Sequence, residues 1–249
     1  MNESEQLLKK RFEELSTRSF TKGIWVYSDF LTVAEQSTLL KMRLSVPVTL
    51  DGGFEGAERR IACFGSEDNC GYEAYPPYVC VKIEPVNRKF ADELSHRDFF
   101  GSIMALGIKR EVLGDIIVFE NCGYLFCIES ISEYIRENLL SVRRTSVKCT
   151  VVSAPPVESV ALPDEEEFVI ASPRVDAVAA AVYKLSRSTA KELVEKGLVS
   201  INSVVTQNAD TALEPHDTVS VRGYGRFIFE GEKRQTKKGK LRAGIRVYK

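Results

Sequence analysis

The stretch that decides the fold of this 249-residue chain is RVDAVAAAVYKLSRSTAKELVEKGLVSIN, residues 174–202. Its apolar residues recur at helical spacing across residues 175–185, which predicts a first helix. Ser186 is a typical helix N-cap and Gly197 a typical residue just past a helix end, so a second helix is predicted between them. Residues 198–201 then predict a strand. The stretch therefore predicts a helix–helix–strand unit.

Cations surround the predicted second helix. Arg187 and Lys191 lie four residues apart near its N-terminus, where free N–H groups and the helix dipole favour a phosphate. Asp176 is expected to orient Arg174 or to cap the helix rather than to touch RNA. The full set of candidate RNA contacts in this block is Arg174, Lys184, Ser186, Arg187, Ser188, Lys191, Arg222, Arg226, Lys237 and Lys238. Tyr224 and Phe227 are expected either to stack on bases or to pack within a hairpin.

The charge of the chain is segregated. Residues 174–249 hold 15 lysines and arginines against 8 aspartates and glutamates, whereas residues 1–173 hold 19 against 27. A basic end on an acidic body indicates where a polyanion docks. Contacts of such cations with phosphates supply affinity and salt dependence but little sequence choice.

The same block resembles S4-like RNA-binding domains. The matching elements are Arg174…Asp176, Ser186-Arg187-Ser188, Ala190…Gly197, Val199…Asn202 and Asp217…Val221. Ser203 and His216 stand where glycine is usual in the family, and both are turn positions, so the local turn geometry departs from the pattern. The resemblance implies an S4-like domain over residues 171–249.

The middle of the chain, residues 76–170, predicts the order β-α-β-β-α-β. This is the ferredoxin-like arrangement that RNA-recognition modules also use. The predicted strands cover residues 78–85, 115–119, 124–129 and 143–152, with a tight turn at 121–123 and helices starting at Ser95 and Ser132. Residues 151–173 are interpreted as the domain end and a linker with one short strand, 168–171. Tyr124 and Phe126 weakly resemble an RNA-binding strand, and core packing explains them equally well.

The cluster Ser95-His96-Arg97-Asp98 invites a catalytic interpretation, but residues two apart on a helix point to different faces. A reciprocal cap between Ser95 and Asp98 is the better prediction. No catalytic residue is expected. The secondary set of RNA or packing residues is His96, Arg97, Lys109 and Arg110.

Residues 1–75 predict a small α/β domain. It contains a helix over 3–15, a second helix from Thr32 to about residue 43 with a capping box to Glu35, and strands over 46–50 and 58–64. The whole chain is thus expected to be an α+β multidomain protein.

Several classes of protein are excluded by composition. No run of eighteen apolar residues predicts a membrane span, and the acidic N-terminus lacks the apolar core of a signal peptide. The six cysteines form no C-x-x-C and only two histidines accompany them, so no metal is expected, and no cofactor or small-molecule substrate either. The cysteines are expected to be reduced and mostly buried, in a cytoplasmic monomer.

Further motifs resemble the YlmH family of bacterial RNA-binding proteins across nearly the whole chain. They are Ser28-Asp29-Phe30-Leu31 with Glu35-Gln36, Gly52-Gly53-Phe54 with Ala57-Glu58-Arg59, residues 94–101, residues 106–111 with 114–116, and residues 222–227 with 236–239. The resemblance implies a non-enzymatic factor of ribosome-associated quality control. Its partners would be rRNA and tRNA on the large ribosomal subunit.

Two other functions remain as alternatives. An RNA-modifying enzyme with an S4-like module, of the pseudouridine synthase or methyltransferase type, would need a catalytic aspartate motif or a glycine-rich cofactor loop, and neither is present. A protein-interaction scaffold would use the acidic N-terminal body.

Overall fold

The structure, a computed structural model, describes residues 3–160, 162–202, 204–235 and 239–248. The chain divides into two compact units, Met1–Ala161 and Leu162–Lys249. Its strands form three antiparallel sheets accompanied by helices, so the protein is a mixed α+β protein. Within the described residues, no helix is both long and apolar enough to cross a membrane.

The described residues of the N-terminal unit form a three-stranded sheet, a five-stranded sheet and six α-helices. The helices are α1 (Glu3–Lys22), α2 (Val33–Leu40), α3 (Glu67–Cys70), α4 (His96–Met104), α5 (Glu129–Asn138) and α6 (Val157–Val160). The strands are β1 (Val26–Leu31), β2 (Val48–Asp51), β3 (Arg60–Phe64), β4 (Tyr78–Pro85), β5 (Leu113–Phe119), β6 (Cys122–Ile128), β7 (Ser141–Val142) and β8 (Thr145–Val152). The sheets have the strand orders β1-β3-β2 and β5-β6-β4-β8-β7.

The predicted capping box at the start of α2 is confirmed. The N–H of Thr32 donates to the Glu35 carboxylate at 2.7 Å, and the N–H of Glu35 donates to the Thr32 hydroxyl at 3.3 Å. The helix ends at Leu40, earlier than predicted, whereas α1 runs well beyond residue 15 to Lys22.

The predicted order β-α-β-β-α-β is observed as β4-α4-β5-β6-α5-β8, with the short β7 inserted before β8. The β5–β6 turn differs from the prediction, because Glu120 and Asn121 take the left-handed backbone conformation and Cys122 already begins β6. Gly123 lies within β6 rather than in the turn, and it is needed for helix packing. A Cβ at this position would lie 2.8 Å from the Phe99 ring, so the strand needs glycine to let α4 pack closely.

Both faces of the five-stranded sheet are covered. On one face, Leu125 of β6 joins a core that includes Phe99 of α4 and Ile135 of α5. On the other face, Tyr124 and Phe126 are buried among side chains of the three-stranded sheet, including Phe30, Ile61 and Cys63. The alternation of β6 therefore serves two hydrophobic cores at once.

The C-terminal unit places two helices on a single six-stranded sheet. Its elements are α7 (Val175–Val182), α8 (Arg187–Glu195), β9 (Glu165–Ile170), β10 (Val199–Ile201), β11 (Val204–Thr206), β12 (Asp217–Val221), β13 (Gly225–Gln235) and β14 (Leu241–Tyr248). The strand order is β11-β10-β12-β13-β14-β9. The helices pack on the sheet through a core that includes Val178, Val194, Phe227, Phe229 and Ile245.

Strand β9 overlaps the short strand predicted over residues 168–171 in the linker between the second and third domains, and it begins three residues earlier. It pairs antiparallel with β14, with Ile170 opposite Leu241 and Glu165 opposite Arg246. A strand belongs to the sheet that satisfies its backbone hydrogen bonds. The compact C-terminal unit therefore begins at Leu162, ahead of the predicted start at residue 171. A division of the N-terminal unit after residue 75 stays a prediction.

The expectation that most cysteines are buried is confirmed. Five of the six are buried and Cys70 is half-buried, and all six are free thiols. Burial raises the pKa of Cys80 to about 12 and that of Cys63 to about 11, which disfavours the reactive thiolate. Among the described residues, no three His, Cys, Asp or Glu side chains converge in a way that could hold a metal ion.

Candidate nucleic-acid interface

The start of α8 is built as the sequence predicts. The hydroxyl of Ser186 accepts a hydrogen bond from the N–H of Thr189 at 3.0 Å and so caps the helix. In the part of the chain that the structure describes, nothing accepts from the N–H groups of Arg187 or Ser188. Unsatisfied N–H groups at a helix N-terminus are a common anion site. The side chain of Lys191 is exposed one turn further along the helix.

A buried carboxylate links α7 to this helix start. Asp176 is only 2% exposed. Its two oxygens accept from Arg174 Nε at 3.1 Å and Nη2 at 2.9 Å, and its Oδ2 also accepts from Arg187 Nη2 at 3.0 Å. Arg174 pairs in addition with Asp210. The two guanidinium groups are thereby fixed side by side, which confirms that Asp176 orients Arg174.

The ionised form of Asp176 is favoured in the folded protein. Burial by itself raises the pKa of this carboxyl, but hydrogen bonds from Arg174 and Arg187 outweigh burial and bring the pKa below its ordinary value. Because both arginines keep a substantial exposed fraction, they can still face a polyanion. The arrangement preorganises two positive charges.

Replacing Asp176 with asparagine should lower the free energy of unfolding by about 1–3 kcal/mol at neutral pH, because a neutral amide replaces the carboxylate that accepts three charge-assisted hydrogen bonds. A carboxyl whose folded pKa is lowered stabilises the fold above its unfolded pKa, near 4, and this contribution disappears as the pH falls through the lower folded value. The free energies of unfolding of the two proteins, measured with urea over a range of pH, should therefore become equal in acid.

The matched control is Asp210→Asn, since exposed Asp210 also pairs with Arg174. Exposed ion pairs contribute little, so this variant should be nearly neutral. The stabilising role of the Asp176 carboxylate would be contradicted if both variants lost the same free energy of unfolding, or if the loss in Asp176→Asn did not change with pH.

The turn between β12 and β13 carries an exposed aromatic ring among cations. Tyr224 is 45% exposed, and its ring centroid lies 5.6 Å from that of Tyr183. The guanidinium of Arg226 lies 4.1 Å from the ring centroid of Tyr248. Phe227 is fully buried and belongs to the core, so of the two predicted stacking candidates only Tyr224 remains accessible.

The remaining predicted cations of this unit have different surroundings. Arg222 and Lys184 are exposed, and Lys184 takes the left-handed backbone conformation with φ of +53° between α7 and α8. Lys191 lies 3.6 Å from Glu195, one turn further along α8. Lys237 and Lys238 lie outside the described residues.

The basic hairpin of β13 and β14 is balanced by the acidic strand β9. Lys233 pairs with Glu165 at 2.8 Å, while Arg234 and Arg242 both pair with Glu167, at 3.1 and 2.9 Å. Exposed pairs of this kind stabilise little, but they cancel charge locally. Exposed Lys184 and Arg222, by contrast, form no ion pair among the residues that the structure describes.

The secondary set in the N-terminal unit divides into structural and exposed residues. Arg110 donates from Nη1 to the carbonyls of Leu113 and Gly114, both at 3.0 Å, and burial together with nearby Arg59 lowers its pKa to about 10. His96 stacks on the Phe100 ring with centroids 6.3 Å apart. Partial burial and then Arg110 lower its pKa. Arg110 thus serves local packing, whereas the side chain of His96 is also exposed and stays a candidate contact.

Arg97 and Lys109 are exposed and remain candidate RNA contacts. The predicted cap at Ser95 is confirmed, because the Asp98 carboxylate accepts from the Ser95 N–H at 2.9 Å and from its hydroxyl at 2.6 Å. These hydrogen bonds lower the pKa of Asp98. Asp98 is therefore engaged with its own helix start rather than with His96.

Comparison with known proteins agrees with this architecture. Residues 80–155 match the family described as "Putative RNA-binding domain in YlmH". The chain is 26% identical over 226 residues to the ribosome-associated protein quality control protein P2 of Bacillus subtilis (strain 168), covering 86% of this chain and 84% of that relative.

A solved structure, the cell division protein ylmH from Streptococcus pneumoniae, superposes with a TM-score of 0.50 at 16% identity. The match covers 65% of this chain and 97% of that one, and at this identity it bears on the fold alone. The match over residues 80–155, the relative and the fold together confirm the resemblance to the YlmH family that the motifs indicate.

Proposed function

We propose that this protein is a non-enzymatic RNA-binding factor of ribosome-associated quality control. Its C-terminal unit, which we assign to the S4-like class, binds rRNA of the large ribosomal subunit together with tRNA. The observation that carries the proposal is the pair of guanidinium groups of Arg174 and Arg187, held by buried Asp176 beside the capped N-terminus of α8. Two fixed cations and two free N–H groups are the kinds of group that contact a phosphate backbone.

The similarity to a Bacillus protein named for ribosome-associated quality control supports the ribosome as the setting. We assign the middle of the chain to the ferredoxin-like class, because the strand order β5-β6-β4-β8 places its first strand between its third and fourth. We further propose that the protein acts as a monomer in the cytoplasm, without a cofactor.

Gradient sedimentation of the tagged protein from bacterial lysate, with cross-linked RNA sequenced, tests the proposal. The protein should travel with large subunits, and its cross-links should fall in rRNA and tRNA and include residues within 174–226. Protein that stays at the top of the gradient without RNA would contradict it. A modified nucleoside appearing in RNA incubated with the protein would favour the RNA-modifying alternative instead.

A further inference from the structure

The sheet face on which RNA-recognition modules bind RNA is not accessible in the N-terminal unit. An RNA-recognition module stacks bases on aromatic side chains of its sheet. Here the corresponding face of β6 is filled, because Tyr124 and Phe126 are buried against the three-stranded sheet, and the Phe54 ring stacks on Phe126 with centroids 5.5 Å apart. Any RNA that residues 80–155 bind must therefore contact other elements.

The loop after β4 presents an aromatic ring to solvent between cations. Phe90 is 79% exposed and ends a 3₁₀ turn, Arg88–Phe90. The side chain of Asn87 caps this turn by accepting from the N–H of Lys89 at 3.1 Å, which fixes its conformation. The Lys89 ammonium lies 5.8 Å from the centroid of the Phe90 ring. Aromatic rings beside cations are the common means of binding single-stranded nucleic acid.

A second basic turn lies at the same edge of the sheet. The loop is tied to β8 at both ends, because the N–H of Val86 donates to the Ser146 carbonyl at 2.9 Å and the N–H of Asp92 donates to the Thr145 hydroxyl at 2.9 Å. Thr145 directly follows Arg143 and Arg144, which form the exposed turn between β7 and β8. The tethers thus bring the two basic segments together.

The ion pairs at this edge leave its charge available. Arg88 lies 3.9 Å from Glu120, and Arg143 lies 3.8 Å from Asp98, both long contacts of exposed arginines. Exposed pairs of this length are worth little and exchange readily for a phosphate. Lys89 and Arg144 form no ion pair with any described residue.

We propose that Arg88, Lys89, Phe90, Arg143 and Arg144, the Phe90 surface, form a second RNA site that binds a single-stranded segment. Phe90 stacks on one base, and the cations contact the flanking phosphates. Every base has a stacking face, so the site selects unpaired RNA rather than a particular sequence. The inference rests on the proposed function only in taking RNA as the ligand, since the Phe90 surface and the start of α8 belong to different units.

Fluorescence anisotropy of the full chain with a labelled oligouridine of about ten nucleotides tests the site. Phe90→Ala should weaken binding about tenfold, whereas Phe90→Trp should retain it, because a larger ring stacks at least as well. Lys89→Gln combined with Arg144→Gln should reduce the log–log salt slope by about 1.4, the value for two phosphate contacts on a single strand.

The matched control is Tyr75→Ala in the same unit, which removes an equally exposed ring (76%) that is hydrogen-bonded to acidic Glu73. It should leave oligouridine binding unchanged. Unchanged binding by Phe90→Ala, or loss of binding by Phe90→Trp, overturns the proposal. Arg187→Gln with Lys191→Gln separates the two sites, because it should reduce binding of tRNA but not of oligouridine. A loss of oligouridine binding in that variant, with Phe90→Ala unaffected, overturns only the second site.

Discussion

Replacing Arg187 and Lys191 with glutamine should weaken tRNA binding by about 10- to 100-fold at 0.1 M salt, and should flatten the log–log salt slope by about two units. Each cation is expected to replace counterions at one phosphate, so two contacts are lost. Both side chains project from the first turns of α8, and neither belongs to the core. The fold should therefore survive the change.

Glutamine is preferable to glutamate at position 187. The guanidinium of Arg187 lies 3.0 Å from a buried carboxylate, that of Asp176, so a glutamate would place two like charges together and destabilise the site for reasons unrelated to RNA. The matched control is Lys196→Gln at the other end of the same helix, where Lys196 pairs with Glu192 at 2.6 Å. Titrations between 50 and 200 mM salt measure the slope. If the double variant and Lys196→Gln have the same slope, α8 does not contact RNA.

Truncating Phe126 to alanine should cost about 3–5 kcal/mol of the free energy of unfolding. The ring is 2% exposed and packs against Phe54 and Tyr78, with centroids 5.5 and 6.0 Å away. Alanine leaves a cavity between the two sheets that neither can close. Urea unfolding measures the loss, and Phe126→Leu, which keeps most of the volume, should lose much less.

A measurement of RNA affinity distinguishes a core role of Phe126 from a role in stacking on RNA bases. If β6 were a stacking platform, Phe126→Ala would reduce RNA affinity and leave stability nearly unchanged. We expect the opposite, with affinity for both tRNA and oligouridine preserved at temperatures where the variant is folded. Loss of RNA affinity without loss of stability would mean that this sheet face opens to nucleic acid.

Local signals in the sequence were sufficient where an element is specified by its own residues. The two helices of the C-terminal unit and the cap at Ser186 follow from apolar spacing and a hydroxyl at the N-cap. The start of α2 follows from Thr32 and Glu35 in the same way. In each case the partners lie within four residues of each other.

Elements specified by distant partners were predicted only in part or not at all. The strand predicted over residues 168–171 covers only the second half of β9. Residues 165–167 are three consecutive glutamates, a composition that disfavours a strand, and the cations that compensate them lie on β13 and β14. The C-terminal strand Leu241–Tyr248 was not predicted, because its arginines resemble a run of solvated charges. Cross-strand pairs cannot be recognised in one sequence before the register is known.

The candidate site was predicted in part for related reasons. Arg174 and Asp176 could be paired because they are two residues apart, whereas the hydrogen bond from Arg187 to Asp176 depends on how α8 packs against α7. The structural role of Arg110 could not be predicted, since its guanidinium donates to β5 backbone carbonyls and its own carbonyl accepts from Arg59, contacts that are far apart in the sequence or set by the fold. Tyr248, beneath Arg226, is brought there only by the pairing of β13 with β14.

The position of β9 determines at which residue a stable C-terminal fragment of this protein must begin. A fragment that starts at residue 171 would lose β9 and leave β14 as a bare strand edge, with its N–H and C=O groups open along Leu241–Tyr248. Unprotected edges of this kind recruit strands from other molecules, so such a fragment should aggregate even though it retains every RNA contact predicted in the C-terminal unit. Strand β9, with its three glutamates, thus protects the β14 edge against self-association, and a fragment that starts at Leu162 retains this strand.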